Sequence, residues 1–203
     1  SISWTLRIFK YKISLSKITI HKTKEGGGIM HYADIKKIDI ANGEGVRVSL
    51  FVSGCRHHCK GCFNEIAWNF KYGKEFTQDT VDEIIQDLNH DYVEGLSLLG
   101  GEPLEPENQE ALAKLVTKVK EKYPNKNIWC YTGFDFEKDI MPECKTSAVT
   151  KQLISNIDVI VDGKFDESKM DRKLKFRGSS NQRIIDVKET LHDNAIKMVK
   201  FTD

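Results

Sequence analysis

Hydrophobic positions along the chain follow two periods, one typical of buried strands and one typical of amphipathic helices. The run from Val46 to Val52 is rich in β-branched residues and bounded by glycines, which predicts a strand. Apolar residues at helical spacing predict a helix over 77–89. By the same criteria we predict strands over 95–99, 127–131, 157–162 and 183–187, and helices over 107–123 and 149–155.

The alternating order of these strands and helices predicts an α/β fold with a mostly parallel sheet, arranged as a partial, open β/α barrel. The 174 residues that follow residue 29 are too few for a closed eight-unit barrel, which typically takes about 250. Ligands bind at the carboxyl ends of the strands in such folds. We therefore expect the functional residues in the loops that follow the predicted strands.

Residues 1–29 have a different pattern from the rest of the chain. Apolar residues roughly alternate with Lys, Ser and Thr over 5–20, and the segment Glu25-Gly-Gly-Gly28 then interrupts regular structure. One interpretation is an added edge strand. The other, which we favour, is a translated upstream leader in front of a start at Met30. We accordingly predict an extension over 1–29 and one domain over 30–203.

Composition and charge narrow the class of protein. The chain is 39% hydrophobic and 30% charged, and it has no apolar run of 18 residues that could span a membrane. Six of its 31 basic residues but only one of its 30 acidic residues precede Met30, which leaves 25 basic and 29 acidic residues in the predicted domain. Nucleic-acid binding, which needs a basic face, is therefore not expected.

Three of the five cysteines lie within eight residues, as Cys55-x3-Cys59-x2-Cys62. Thiolates three and four positions apart on one loop can converge on a single metal centre, and three of them leave one iron of a four-iron cluster without a protein ligand. Such closely spaced cysteines do not form a disulfide framework, and no signal-peptide pattern precedes them. We therefore expect reduced thiols and a cytoplasmic protein.

Zinc is the alternative occupant of this loop, with His57 or His58 as a fourth ligand. A second cysteine pair would favour zinc, but Cys130 lies in a predicted strand and Cys144 is isolated. These two thiols are better explained as buried or incidental residues.

The cysteine motif followed by Phe63 resembles the cluster loop of radical S-adenosylmethionine enzymes. Gly100-Gly101-Glu102-Pro103, directly after a predicted strand, resembles their second signature. Read in order, the motifs of residues 30–187 are similar to those of the family of activating proteins of anaerobic ribonucleoside-triphosphate reductases. The segments that carry this likeness are 39–47, 50–55, 100–104, 128–134, 161–165 and 177–182.

The resemblance implies one [4Fe–4S] cluster bound by the three cysteines, with S-adenosylmethionine as cosubstrate. It places Gly61, Cys62 and Phe63 against the nucleoside, and the paired glycines Gly100 and Gly101 near the methionine moiety. In addition, Glu102 would help hold the ammonium group of the methionine moiety. Asp162 and Lys164 resemble an Asp-x-Lys element that faces the cosubstrate in other activating enzymes. The loop 132–133 and the segment 177–182 would line the site or the partner surface.

The implied activity is reductive cleavage of S-adenosylmethionine to a 5′-deoxyadenosyl radical, which removes a hydrogen atom from a glycine of the reductase large subunit. No side chain need act as a general acid or base in that step. The implied partners are the reductase and a flavodoxin or other low-potential reductant, and a homodimer is compatible with the sequence. The alternatives are an activating enzyme for another glycyl-radical enzyme, an electron carrier and a zinc-stabilised interaction module.

Overall fold

A computed structural model describes residues 28–201, which form seven β-strands and five α-helices. The strands are β1 (His31–Asp39), β2 (Val46–Val52), β3 (Lys74–Glu75), β4 (Val93–Gly100), β5 (Asn127–Tyr131), β6 (Val159–Asp162) and β7 (Arg183–Asp186). The helices are α1 (Gln78–Asp87), α2 (Pro106–Lys122), α3 (Met141–Thr146), α4 (Ala148–Ser155) and α5 (Val187–Asp193). A π-helical turn, Phe136–Ile140, leads into α3.

All seven strands belong to one sheet, in the order β3-β1-β2-β4-β5-β6-β7. The four central strands, β2, β4, β5 and β6, are parallel to their neighbours within this group, whereas β1, β3 and β7 pair antiparallel at the edges. The sheet is open rather than closed. This arrangement confirms the predicted α/β class and the mostly parallel, partial barrel.

One face of the sheet packs against the helices. Alternate residues of the central strands, such as Leu50, Leu98 and Ile160, share a hydrophobic core with apolar residues of α1, α2 and α4. Consecutive parallel strands that neighbour one another require right-handed crossovers, and these place the connecting helices on the same face. Strand alternation then directs the intervening residues to the opposite face, where Trp129 and Val161 belong to a second, smaller cluster.

The opposite face also contains a fully buried arginine, Arg47. Its guanidinium donates to Ser97 Oγ at 2.7 Å, to Asn127 Oδ1 at 2.7 Å and to the Leu96 carbonyl at 2.8 Å, and it lies 5.4 Å from the ring of Trp129. This network explains the motif at 39–47 as structural. A side chain at Gly43 would put its Cβ 2.8 Å from Arg47 Cδ, so the close approach requires glycine.

Several elements were not predicted from the sequence. Strand β1 escapes detection because two irregularities in its pairing with β2 interrupt the alternation of its side chains. The predicted strand 183–187 ends at Asp186, whose side chain accepts a hydrogen bond from Glu189 N and begins α5. The edge strand considered for 5–20 lies outside the described residues. Within residues 28–201, no helix has the length and apolar character needed to cross a bilayer.

Candidate metal centre

A cleft of about 350 Å³ opens at the carboxyl ends of β2, β4 and β5. Parallel strands end at one edge of the sheet, so the loops that follow them meet there. The cleft is also bordered by Thr132 and Gly133 and, from the segment after β6, by Phe165, Phe176 and Gln182. Seven of the ten residues predicted for the site line it, namely Cys55, Cys59, Cys62, Phe63, Gly100, Gly101 and Glu102.

The cysteine loop begins at Gly54, directly after β2. Gly54 N donates to the Ala67 carbonyl at 2.8 Å, and Cys55 N donates to the Trp68 carbonyl at 3.2 Å. Gly54 has a φ of +94°, which favours glycine because other residues rarely adopt that conformation. The start of the loop is therefore fixed by the turn at Glu65–Trp68 that follows the third cysteine.

The three thiols of this loop are free, with Cys55 buried and Cys59 and Cys62 partly exposed. Burial raises the pKa of Cys55 to about 11 and also raises the pKa of Cys59. Cys55 and Cys59 consequently hold their protons at neutral pH, and binding of a metal must release them.

The three sulfur atoms are not all gathered closely enough to hold a single zinc ion without moving. Among the described residues, the three Sγ atoms do not form a group within 4.8 Å of one another. A tetrahedral zinc ion with Zn–S bonds of about 2.3 Å would need them about 3.8 Å apart. In a [4Fe–4S] cluster each cysteine binds a different iron, so the three sulfur atoms need not meet at one ion. Of the two histidines considered as a fourth zinc ligand, His57 directs Nε2 to Glu102, and His58 stacks its ring on Trp68.

Each of the three residues between Cys55 and Cys59 contacts a different part of the fold. Arg56 N donates to Glu105 Oε1 at 2.7 Å, and the Arg56 guanidinium forms ion pairs with Glu105 and Glu107 at the beginning of α2. The ring of His58 stacks on Trp68 with the centroids 4.5 Å apart. The middle residue, His57, reaches the end of β4. The loop is thus held at three successive positions.

Glu102 is the residue that His57 reaches, and its carboxylate is almost fully enclosed, with 1% of the residue exposed. Oε1 accepts a hydrogen bond from Leu104 N at 2.9 Å, and Oε2 accepts one from Gly133 N at 2.8 Å. His57 Nε2 lies 2.8 Å from the same Oε2. Glu102 therefore joins the cysteine loop to the turns that follow β4 and β5.

The two glycines before Glu102 allow the backbone to approach the cysteine loop. A Cβ at Gly101 would lie 2.6 Å from the Gly54 carbonyl oxygen, and Gly100 has a φ of +110°. Hydrogen bonds from Gly101 N to Val52 O and from Glu102 N to Gly54 O, at 2.7 and 2.8 Å, link the two segments. A side chain at either position would separate the β4 turn from the beginning of the cysteine loop.

Three predicted residues do not line the cleft. Asp162 follows Ile160 by two positions and points with it to the helical face, where it pairs with Arg183 and accepts a hydrogen bond from Phe136 N. Lys164 is exposed and lies outside the cleft, beyond Phe165. Gly61 has a φ of +72° and packs against Glu167. The Asp-x-Lys pattern therefore does not place its two side chains in the cleft.

Two aromatic residues that line the cleft, Phe165 and Phe176, were not predicted as site residues. His57 was considered only as a zinc ligand, and its contact with Glu102 was not predicted. The sequence contains a local signal for Phe165, because this residue follows the end of a predicted strand and belongs to the segment 161–165. His57 and Glu102 are 45 residues apart in the sequence, so their contact has no local signal there.

Comparison with known proteins agrees with this geometry. Residues 41–185 match the family model of a 4Fe-4S single cluster domain. An anaerobic ribonucleoside-triphosphate reductase-activating protein of Enterobacteria phage T4 is 43% identical over 155 residues, which cover 76% of this chain and 93% of that protein. The proteins of the same description from Vibrio cholerae and Escherichia coli K12 are 43% and 41% identical, covering 76% and 75% of this chain and 97% and 96% of theirs. The chain belongs to the family of anaerobic ribonucleoside-triphosphate reductase-activating proteins.

Proposed function

We propose that this chain binds one [4Fe–4S] cluster through Cys55, Cys59 and Cys62 and, with S-adenosylmethionine, generates a glycyl radical on an anaerobic ribonucleoside-triphosphate reductase. The observation that carries the proposal is the convergence of three free thiols from one loop on the cleft at the carboxyl end of the sheet. When bound, the cluster and cosubstrate together supply an electron and a carbon radical able to remove a hydrogen atom.

In the proposed reaction, the residues of the chain bind and orient the cluster and the cosubstrate. The three cysteines hold the metal, while Phe63, 86% exposed beside Cys62, offers an apolar surface to the nucleoside. Gly100 and Gly101 line the cleft, where their backbone is accessible to the methionine moiety. Because hydrogen-atom transfer moves no isolated proton, orientation and exclusion of water replace acid–base groups. Gly61 shapes the loop from outside the cleft.

The partner polypeptide would enter the same cleft. The sheet is open, and one wall of the cleft consists of Phe165, Phe176 and residues up to Gln182. This wall is partly exposed and can contact a glycine-bearing segment of the reductase. A low-potential donor such as a flavodoxin would supply the electron. The five free cysteines support a reducing, cytoplasmic location, and a homodimer stays a prediction.

The test is an anaerobic reconstitution with iron and sulfide, followed by reduction, addition of S-adenosylmethionine and assay of 5′-deoxyadenosine. We expect about four irons per chain and cleavage that is lost in Cys59→Ala. The matched control is Cys144→Ala, which removes a free thiol of α3 that does not line the cleft. A glycyl-radical signal on the reductase completes the assignment. Tightly bound zinc without cleavage would contradict it.

A further inference from the structure

Both oxygens of the Glu102 carboxylate form hydrogen bonds with other groups of the protein. Two backbone N–H groups and one imidazole occupy its oxygens, at 2.8 to 2.9 Å, and 1% of the residue is exposed. A carboxylate that binds a ligand's ammonium group needs an accessible oxygen. Glu102 lines the cleft, but its carboxylate is almost fully enclosed and is in contact with His57, whose own side chain is 9% exposed.

His57 is closely packed in turn. Its ring lies edge-on to Phe134 with the centroids 4.5 Å apart. A Cβ at Gly133 would come 2.4 Å from its Cδ2 atom. The imidazole is thereby confined between Glu102 and the turn after β5, so its position fixes the distance from that turn to the cysteine loop.

We propose that His57 and Glu102 form a single positioning unit for the metal-binding loop. Glu102 acts through His57, and its carboxylate does not bind the cosubstrate. This inference rests on the proposed function only where it concerns the cosubstrate. The pair holds the loop independently of any cosubstrate.

The first experiment uses the metal-free full-length protein and measures alkylation of its thiols by mass spectrometry. Cys55 is 8% exposed, in the loop, and Cys130 is fully buried in β5 as an internal reference for folding. We expect His57→Gln and Glu102→Gln each to accelerate labelling of Cys55 about tenfold, the effect of losing one buried hydrogen bond. Labelling of Cys130 should not change.

The control for this experiment is His58→Gln, which alters the neighbouring histidine but leaves the contact between His57 and Glu102 in place. Its effect on Cys55 labelling should add to that of Glu102→Gln, whereas His57→Gln and Glu102→Gln combined should match either alone. Unchanged Cys55 labelling in both single variants, with Cys130 protected, would overturn the inference. That outcome leaves the proposed function standing, because neither iron nor cosubstrate takes part.

The second experiment measures the dissociation constant of S-adenosylmethionine for the iron-loaded variants. If the pair is one unit, each single variant weakens binding about tenfold and the double variant is no weaker. Direct contact between Glu102 and the ammonium group gives another result, in which Glu102→Gln weakens binding and His57→Gln does not. That result would overturn the proposal. Failure of the wild-type protein to bind S-adenosylmethionine would instead reject the proposed function.

Discussion

Gly133 and His57 are in such close contact that a Cβ added to Gly133 would lie 2.4 Å from the imidazole Cδ2 and 2.7 Å from Nε2. Real Cβ atoms do not approach other heavy atoms to this distance, so any side chain at 133 must displace the ring. The glycine therefore brings the turn after β5 against the cysteine loop, with Gly133 N donating to the same Glu102 oxygen that contacts His57.

Gly133→Ala should consequently disturb the metal-binding loop. We expect the variant to lose about 1–3 kcal/mol of unfolding free energy, typical of an overpacked site, and to bind less iron on reconstitution. Urea denaturation and iron per chain are the measurements. Gly28→Ala is the matched control, since a Cβ there meets no atom within 4 Å. Full iron loading of Gly133→Ala would mean that the loop tolerates movement of His57.

Asp162 should contribute to stability rather than to cosubstrate binding. Its carboxylate, 1% exposed, accepts from Arg183 Nε at 2.9 Å and from Phe136 N at 2.9 Å. Asp162→Asn keeps the shape but weakens both interactions, and we expect a loss of about 2 kcal/mol in unfolding free energy. Affinity for S-adenosylmethionine should change less than twofold.

The control for this prediction is Asp171→Asn, at an exposed position outside the cleft. It should alter neither the free energy of unfolding nor the affinity. Weaker binding of S-adenosylmethionine by Asp162→Asn, with stability preserved, would restore the role that the Asp-x-Lys resemblance gives to this residue.

The sequence predicted the central strands best because they are short segments rich in β-branched, aromatic and other apolar residues, followed by glycine or another turn residue. Asn127–Tyr131 was predicted with the bounds that the structure has, and Val46–Val52 likewise. The edge strand β1 was missed because its irregular pairing removes the alternation on which such predictions depend. Helix α3 is only six residues long and follows a π-helical turn, so it has too few positions to establish a period.

In the candidate site, the sequence predicted residues that belong to a short motif. It did not predict contacts between residues that are far apart in the sequence. The cysteine spacing identifies a metal loop by itself. The partnership of His57 with Glu102 arises only when β2 and β4 become neighbours in the sheet. Asp162 was assigned to the cleft from a local pattern, although its place two residues after Ile160 on a strand directs it to the helical face.

Arg47 illustrates a motif residue whose role is structural. It is fully buried, and its burial lowers the pKa of the guanidinium to about 10. Arg47→Lys retains a positive charge but cannot reach Ser97, Asn127 and the Leu96 carbonyl together. We expect a loss of about 3 kcal/mol in unfolding free energy, measured by urea denaturation. Arg172→Lys, at an exposed position, should be neutral, and equal stability of both variants would contradict the prediction.

Asp158, just before β6, should make stability depend on pH. Burial favours its neutral form, but hydrogen bonds from Lys120, Lys188 and Ile128 N outweigh that effect and lower its pKa. A carboxyl with a lowered pKa in the folded state stabilises the protein above its unfolded pKa of about 3.9, and this contribution disappears as the pH falls through the folded value. Asp158→Asn should therefore cost about 2 kcal/mol at pH 7.

The difference in unfolding free energy between the wild type and Asp158→Asn should stay constant from pH 7 down to about pH 5 and shrink below about pH 4. Urea denaturation at half-unit intervals between pH 3 and pH 7 measures it. The exposed Asp91 supplies the control, because Asp91→Asn should give a difference close to zero throughout. A difference for Asp158→Asn that stays the same down to pH 3 would show that its hydrogen-bonding geometry, rather than its charge, stabilises this part of the fold.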